Sequence, residues 1–119
     1  MGFDYELNLE KLYDLAKGAE GDPRALVKDI ARHFGLETLA VVGEYTDAGM
    51  DFAELPPDLE SKAIESCVHM KRANGLWIER CVKPLESIVG EWCRRRGGYM
   101  IRVFDGYDSA YACVVKRRE

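Results

Sequence analysis

From Asp58 to Trp92, apolar residues recur at helical spacing with no clear stop. A seam through Ile64, Val68, Lys71, Gly75, Ile78, Val82, Leu85, Val89 and Trp92 advances by four and three residues in strict alternation, and only Lys71 and Gly75 in it are not apolar. In a chain of 119 residues, a helix from about Asp58 to Arg94 would be the spine against which everything else packs. At about 100° per residue, Leu59, Ala63, Cys67, Met70, Asn74, Trp77, Ile78, Cys81, Leu85, Ile88 and Trp92 fall on one face. Ile64, Val68, Gly75 and Val82 widen that face along one flank. The arc exceeds what one sheet needs, so these four are expected to form a homodimer interface, with Gly75 admitting a second helix closely. Pro84 lacks a backbone donor and predicts a kink or break near Lys83.

The rest of the chain supplies what this helix would cross. Asn8 to Lys17 reads as a short helix with Leu9, Leu12, Leu15 and Ala16 on its apolar side and Gly18 as its stop. A second helix is capped by Asp22, opened by Pro23, striped by Leu26, Val27, Ile30, Ala31 and Phe34, and ended by Gly35. The period then changes. Thr38 to Tyr45 is rich in β-formers, Thr46 to Gly49 turns, and Met50 to Leu55 returns as a shorter strand ended by Pro56-Pro57. After Arg94-Arg95-Arg96 and a Gly97-Gly98 stop, Tyr99–Phe104 and Ala110–Val115 make a second hairpin. This order predicts one α+β domain over residues 1–119: a helical segment 1–35, then a hairpin–helix–hairpin core 36–116. In it, one long central helix crosses an antiparallel sheet.

Composition narrows the function. Apolar residues make up 47% of the chain and charged ones 32%, a balance that excludes a disordered polypeptide. No apolar run approaches the roughly 18 residues of a membrane span. The start Met-Gly-Phe-Asp-Tyr-Glu lacks the basic-then-apolar layout of a signal peptide, so a cytoplasmic protein is expected. Cys67, Cys81 and Cys93 would lie far apart along the long helix, and Cys113 in an apolar strand, so all four are expected to be reduced. The net charge of -4 is unevenly spread: residues 1–65 carry six Lys/Arg against fifteen Asp/Glu, and residues 66–119 carry eleven against six.

Chemistry-bearing patterns are sparse. Cys67 and His69, two apart on a helix, would face opposite ways, and no other pair has metal-ligand spacing, so neither a metal nor a cofactor is expected. Gly97-Gly98 follows a helix and precedes a strand, the reverse of a phosphate-binding loop. Arg94, Arg95 and Arg96 would end the long helix beside the start of one strand, while Lys116, Arg117 and Arg118 end its antiparallel partner. Both clusters should therefore meet at one edge of the sheet and could dock an acidic protein surface. Nucleic acid is not expected, because the chain is acidic overall and the basic run lacks interleaved aromatics. The alternative is a small-molecule pocket between sheet and helix, lined by Cys67, Met70, Trp77 and Trp92.

The hairpin–long helix–hairpin order resembles the roadblock/LC7 superfamily, and the residues look closest to its predicted roadblock family DUF2173. The resemblance is carried by Gly43-Glu44-Tyr45 leading into Asp47-Ala48-Gly49, by Arg72-Ala73-Asn74 followed by apolar residues, and by Asp108 to Val115 with Cys113. It covers about residues 25–116. It implies a roadblock/profilin-like sandwich and non-enzymatic work as a dimeric scaffold or regulatory interaction module. It also gives a hint of association with a bacterial sulfur-oxidation complex.

Overall fold

The computed structural model describes residues 3–8, 22–104 and 108–117. Strand β1 (Tyr5–Asn8) is followed, beyond the undescribed residues, by helix α1 (Pro23–His33). The Asp22 side chain accepts the Arg24 amide at 3.1 Å, Pro23 sets the first turn, and Leu26, Val27, Ile30 and Ala31 are buried. Gly35 follows the helix at φ 72°, as a chain reversal into a strand requires. Strands β2 (Leu36–Tyr45) and β3 (Met50–Glu54) form the first expected hairpin. Asn8, the expected N-cap of a helix through Lys17, closes β1, and the residues of that helix lie outside those described.

The long helix is not formed. Pro57 opens α2, which ends at Ser66, and Cys67 is already extended at φ -130° and ψ 147°. Strands β4 (Cys67–Arg72) and β5 (Gly75–Cys81) follow, and Pro84 then caps a separate helix, α3 (Leu85–Arg95). The physical reason is local. Ala73-Asn74 is the two-residue turn between β4 and β5, closed by the Arg72–Gly75 pair, and Asn followed by Gly favours a turn over a helix interior. Val68, Trp77 and Ile78 are β-formers, and Leu76 and Ile78 are buried on one side while Trp77 lies on the other. A period of two can therefore pass for one of three and four over a short window. Gly75 has a different task from the one expected: a Cβ there would lie 2.3 Å from the Ala53 carbonyl oxygen, so its absence lets β5 pair with β3.

Strands β6 (Tyr99–Phe104) and β7 (Ser109–Lys116) complete an open sheet in the order β1-β6-β7-β2-β3-β5-β4. Six of these strands are antiparallel to one another, and β1 adds in parallel beside β6. The class is α+β, as expected, with two intermediate hairpin strands where the spine was expected. Helices α2 and α3 cover one face over Val42, Leu76, Ile78, Met100 and Tyr111, and α1 covers Val41, Ile101, Val103 and Val114 on the other.

The cysteines are not reduced. Cys67 bonds Cys81 across the β4–β5 pair, and Cys93 bonds Cys113, tying α3 to β7. With the helix replaced by a hairpin, the Cα atoms of Cys67 and Cys81 come within 4.0 Å. Disulfides persist mainly in oxidising compartments, whereas the cytoplasmic expectation rested on the first residues of the chain alone. Among the described residues no helix is long and apolar enough to cross a membrane.

Candidate interaction surfaces

Among the described residues β4 is the last strand of the sheet, and one row of its backbone N–H and C=O groups has no described strand beside it. Val68 and Met70 share a face of this strand and are 46% and 47% exposed. Met70 lies opposite Trp77, whose ring stands 4.9 Å from Phe52 and 6.1 Å from Tyr45. The Arg24 guanidinium stacks over Phe52 at 4.4 Å and donates from Nε to the Tyr45 hydroxyl at 2.7 Å. Among the described residues α1 packs mainly on β2, β7 and β6. The Val82 amide donates to the Ser66 carbonyl at 2.9 Å, which seats Val82 beside the α2–β4 junction. Ile64, Val68 and Val82, expected on a helix flank, are thus all exposed around one sheet edge, whereas Gly75 is buried.

The second surface lies at the end of the sheet where α1 and α3 finish. Leu36 pairs with Lys116, Tyr99 pairs with Val114, and the Arg117 amide donates to the Gly35 carbonyl at 3.2 Å. This register brings Arg32 from α1, Arg94 and Arg95 from α3, and Lys116 and Arg117 from β7 to the same end. Arg118 lies outside the described residues. Arg96 is engaged internally: it pairs with Asp58 and stacks on the Trp92 ring at 3.9 Å. The Trp92 indole donates to Asp58 at 2.7 Å, and this bond, with Arg96 behind it, holds the Asp58 carboxyl below its ordinary range. Between α1 and strands β6 and β7 at this end runs a largely apolar groove of about 410 Å³. Ile30, Ile101 and Val114 line it, and Phe34 and Tyr99 flank it at 64% and 44% exposure. Phe34 stands just past the last helical residue instead of on the buried stripe. Its sequence signal was its position against Gly35, where the helix had to stop.

The residues of the alternative pocket are not brought together. Met70 and Trp77 face one side of the sheet, while Cys67 and Trp92 pack with the core on the other. Among the described residues no group of His, Cys, Asp and Glu could hold a metal ion.

The opposite end of the sheet carries a polar cluster that the sequence reading missed. Ser109, 5% exposed, donates to Glu44 at 2.7 Å, and Arg102 pairs with the same carboxylate at 3.1 Å. Asp51 faces Glu44 across the β2–β3 pair. Burial, with Glu44 and then Glu86 adding negative charge, pushes its carboxyl up to about 6. Burial and the same carboxylates also raise the Tyr111 hydroxyl. Its signal in the sequence was the cross-strand pairing of Glu44 with Asp51, visible only once the hairpin register is fixed. No family model, curated protein or solved structure matches the chain.

Proposed function

We propose that the chain is a non-enzymatic interaction module that docks an acidic protein segment at the basic end of its sheet, the scaffold or regulator role that the roadblock resemblance implies. The observation that carries this reading is the register that brings Arg94, Arg95, Lys116 and Arg117 to one end of the sheet, where Lys116 also lines an apolar groove flanked by exposed Phe34 and Tyr99. Cations alone would give weak, salt-screened attraction. A groove beside them adds a seat for an apolar side chain, and aromatic and Arg residues are the common anchors of protein interfaces. The carboxylates at this end, Asp29 paired with Arg32 at 3.4 Å and Glu37 opposite Val115, are fewer than the cations among the described residues. A role beside a sulfur-oxidation complex rests on the resemblance alone.

Panning a displayed random-peptide library against the whole chain tests this. Enriched sequences should carry net negative charge and an aromatic or branched apolar residue. They should bind at least tenfold more weakly to the Arg95→Glu/Arg117→Glu variant, whose melting is unchanged because exposed charges contribute little to stability. Enrichment of neutral or basic sequences, or stronger binding to phosphatidylserine vesicles than to the selected peptides, would overturn the reading.

A homodimer is the second reading, favoured by the exposed edge of β4. Antiparallel pairing of β4 with its copy about Met70 sets Arg72 opposite Val68 and Lys71 opposite His69, so neither Lys71 nor Arg72 meets itself or the other. It would also cover Val68, Met70 and Val82. Light scattering should give twice 13.5 kDa, and Val68→Asp/Met70→Asp should return the mass to one chain without unfolding it. A wild-type monomer at 100 micromolar would dismiss this arrangement.

A further inference from the structure

The two disulfides stand in opposite environments. Cys93 and Cys113 are both 0% exposed, sealed between α3, β7 and the Gly98 backbone, where even an added Cβ would lie 2.8 Å from the Cys93 sulfur. Cys67 and Cys81 are half-buried at the rim of the core, on the outermost strand pair of the sheet and beside exposed Ile64, Val68 and Val82. Thiol–disulfide exchange requires an attacking thiolate to reach one sulfur along the bond it breaks. Only the edge pair offers that approach in the folded chain.

We infer that Cys67–Cys81 is a thiol-exchange site that a small or protein dithiol opens in the native fold, whereas Cys93–Cys113 is structural. One thiolate of the reductant attacks Cys67 or Cys81, breaking the Sγ–Sγ bond and forming a mixed disulfide with that cysteine. The second thiol of the reductant then closes its own disulfide and displaces this cysteine. Both protein sulfurs leave as thiolates and take up a proton each. The reductant loses two electrons and the protein gains them.

The geometry around the pair makes the step reversible. The turn at Ala73-Asn74, the pairs from Val68–Arg80 to Arg72–Gly75, and the Val82-to-Ser66 hydrogen bond hold the strands in register without the sulfur bridge. The two thiols therefore stay opposed and can close again. Opening the bridge does loosen the start of β4, where α2 hands over to the strand and where Ile64 and Val68 are exposed. The site thus lets the redox state set how firmly this edge is held. The inference stands on the two disulfides and does not depend on the self-association reading.

The test uses the whole oxidised chain in dithiothreitol mixtures of graded reducing strength, trapped by alkylation and mapped by peptide mass. Cys67 and Cys81 should become alkylated at least tenfold faster than Cys93 and Cys113, with far-ultraviolet circular dichroism and a cooperative melt retained. Transfer to oxidised dithiothreitol should restore the bridge, the reagent's disulfide taking up the two electrons. In the edge-reduced chain, amide exchange in β4 should rise at least tenfold while β2 and β7 keep their protection. Equal reduction of both bridges, earlier reduction of Cys93–Cys113, or reduction of the edge pair only together with global unfolding would each overturn the inference. Unaltered exchange in β4 would overturn its link to the sheet edge.

Discussion

Asp51 should make the folded chain less stable at neutral pH than in mild acid, and replacing it with Asn should remove that dependence. Its carboxyl is half-buried opposite Glu44 and near Glu86, and burial first, then those two charges, raise it from 3.8 to about 6. The folded state therefore holds the Asp51 proton more tightly than the unfolded state. As pH rises from about 4 to about 6, the unfolded chain ionises first, so stability falls through that window and stays lower above it. A rise of this size corresponds to about 3 kcal/mol; solvent screening of a half-buried group reduces it to about 1–2 kcal/mol. In Asp51→Asn, urea unfolding followed by tryptophan fluorescence should show a gain of about 1–2 kcal/mol at pH 7.5, roughly 4–8 °C in melting temperature. Near pH 4 the gain should vanish, with the urea slope unchanged at both pH values. A difference that does not vary with pH would refute the argument. A loss of stability at pH 7.5 would show instead that the ionised carboxylate is held by hydrogen bonds stronger than its burial.

Gly75→Ala should destabilise the chain by about 3 kcal/mol, because the new Cβ meets the Ala53 carbonyl at 2.3 Å; amide exchange should show β5 losing protection before β2. Gly98→Ala should cost about 1–3 kcal/mol, since its Cβ would press on the sulfurs of Cys93 and Cys113 at 2.8 and 3.0 Å and on the Val114 carbonyl at 3.0 Å, and calorimetry should find the loss reduced in part in a Cys93→Ala/Cys113→Ala background, where the carbonyl contact stays. Trp92→Phe should lower stability by about 1 kcal/mol by removing the indole donor to Asp58, and the Asp58 carboxyl, followed by NMR, should then titrate at higher pH.

What could be read from the sequence divides along physical lines. Helix α1 was legible because Asp22, Pro23 and Gly35 mark its ends by local chemistry that needs no tertiary partner. The same holds for the C-terminal end of α3, where the Gly97 and Gly98 amides return to Arg94 and Cys93 carbonyls. The β2–β3 and β6–β7 hairpins carried turn residues between runs of β-formers. The placing of the basic clusters together followed from antiparallel order, but they meet at the end of interior strands and not at the expected edge, because β1 and β2 flank β6 and β7. The disulfides, the stacking of Arg96 on Trp92 and the Glu44–Asp51 pair depend on register, which the sequence does not display until the hairpins are known. The direction in which Phe34 and Tyr99 face depends on how α1 sits on the sheet.

The one large misreading, a helix through Cys67–Cys81, falls at the least buried part of the sheet. Every residue from Val68 to Asn74 is exposed, so no buried stripe forces either period on β4, and its apolar residues satisfy a helical seam as well as an alternating one. What decides for the hairpin is the turn at Ala73-Asn74, the fit of Gly75 against Ala53, and the bridge between Cys67 and Cys81. Of these, only the bridge can be removed without changing the sequence. A segment whose own pattern is ambiguous, and whose strand state is held in part by an accessible sulfur bond, is where a redox change should alter local order most and the buried core least.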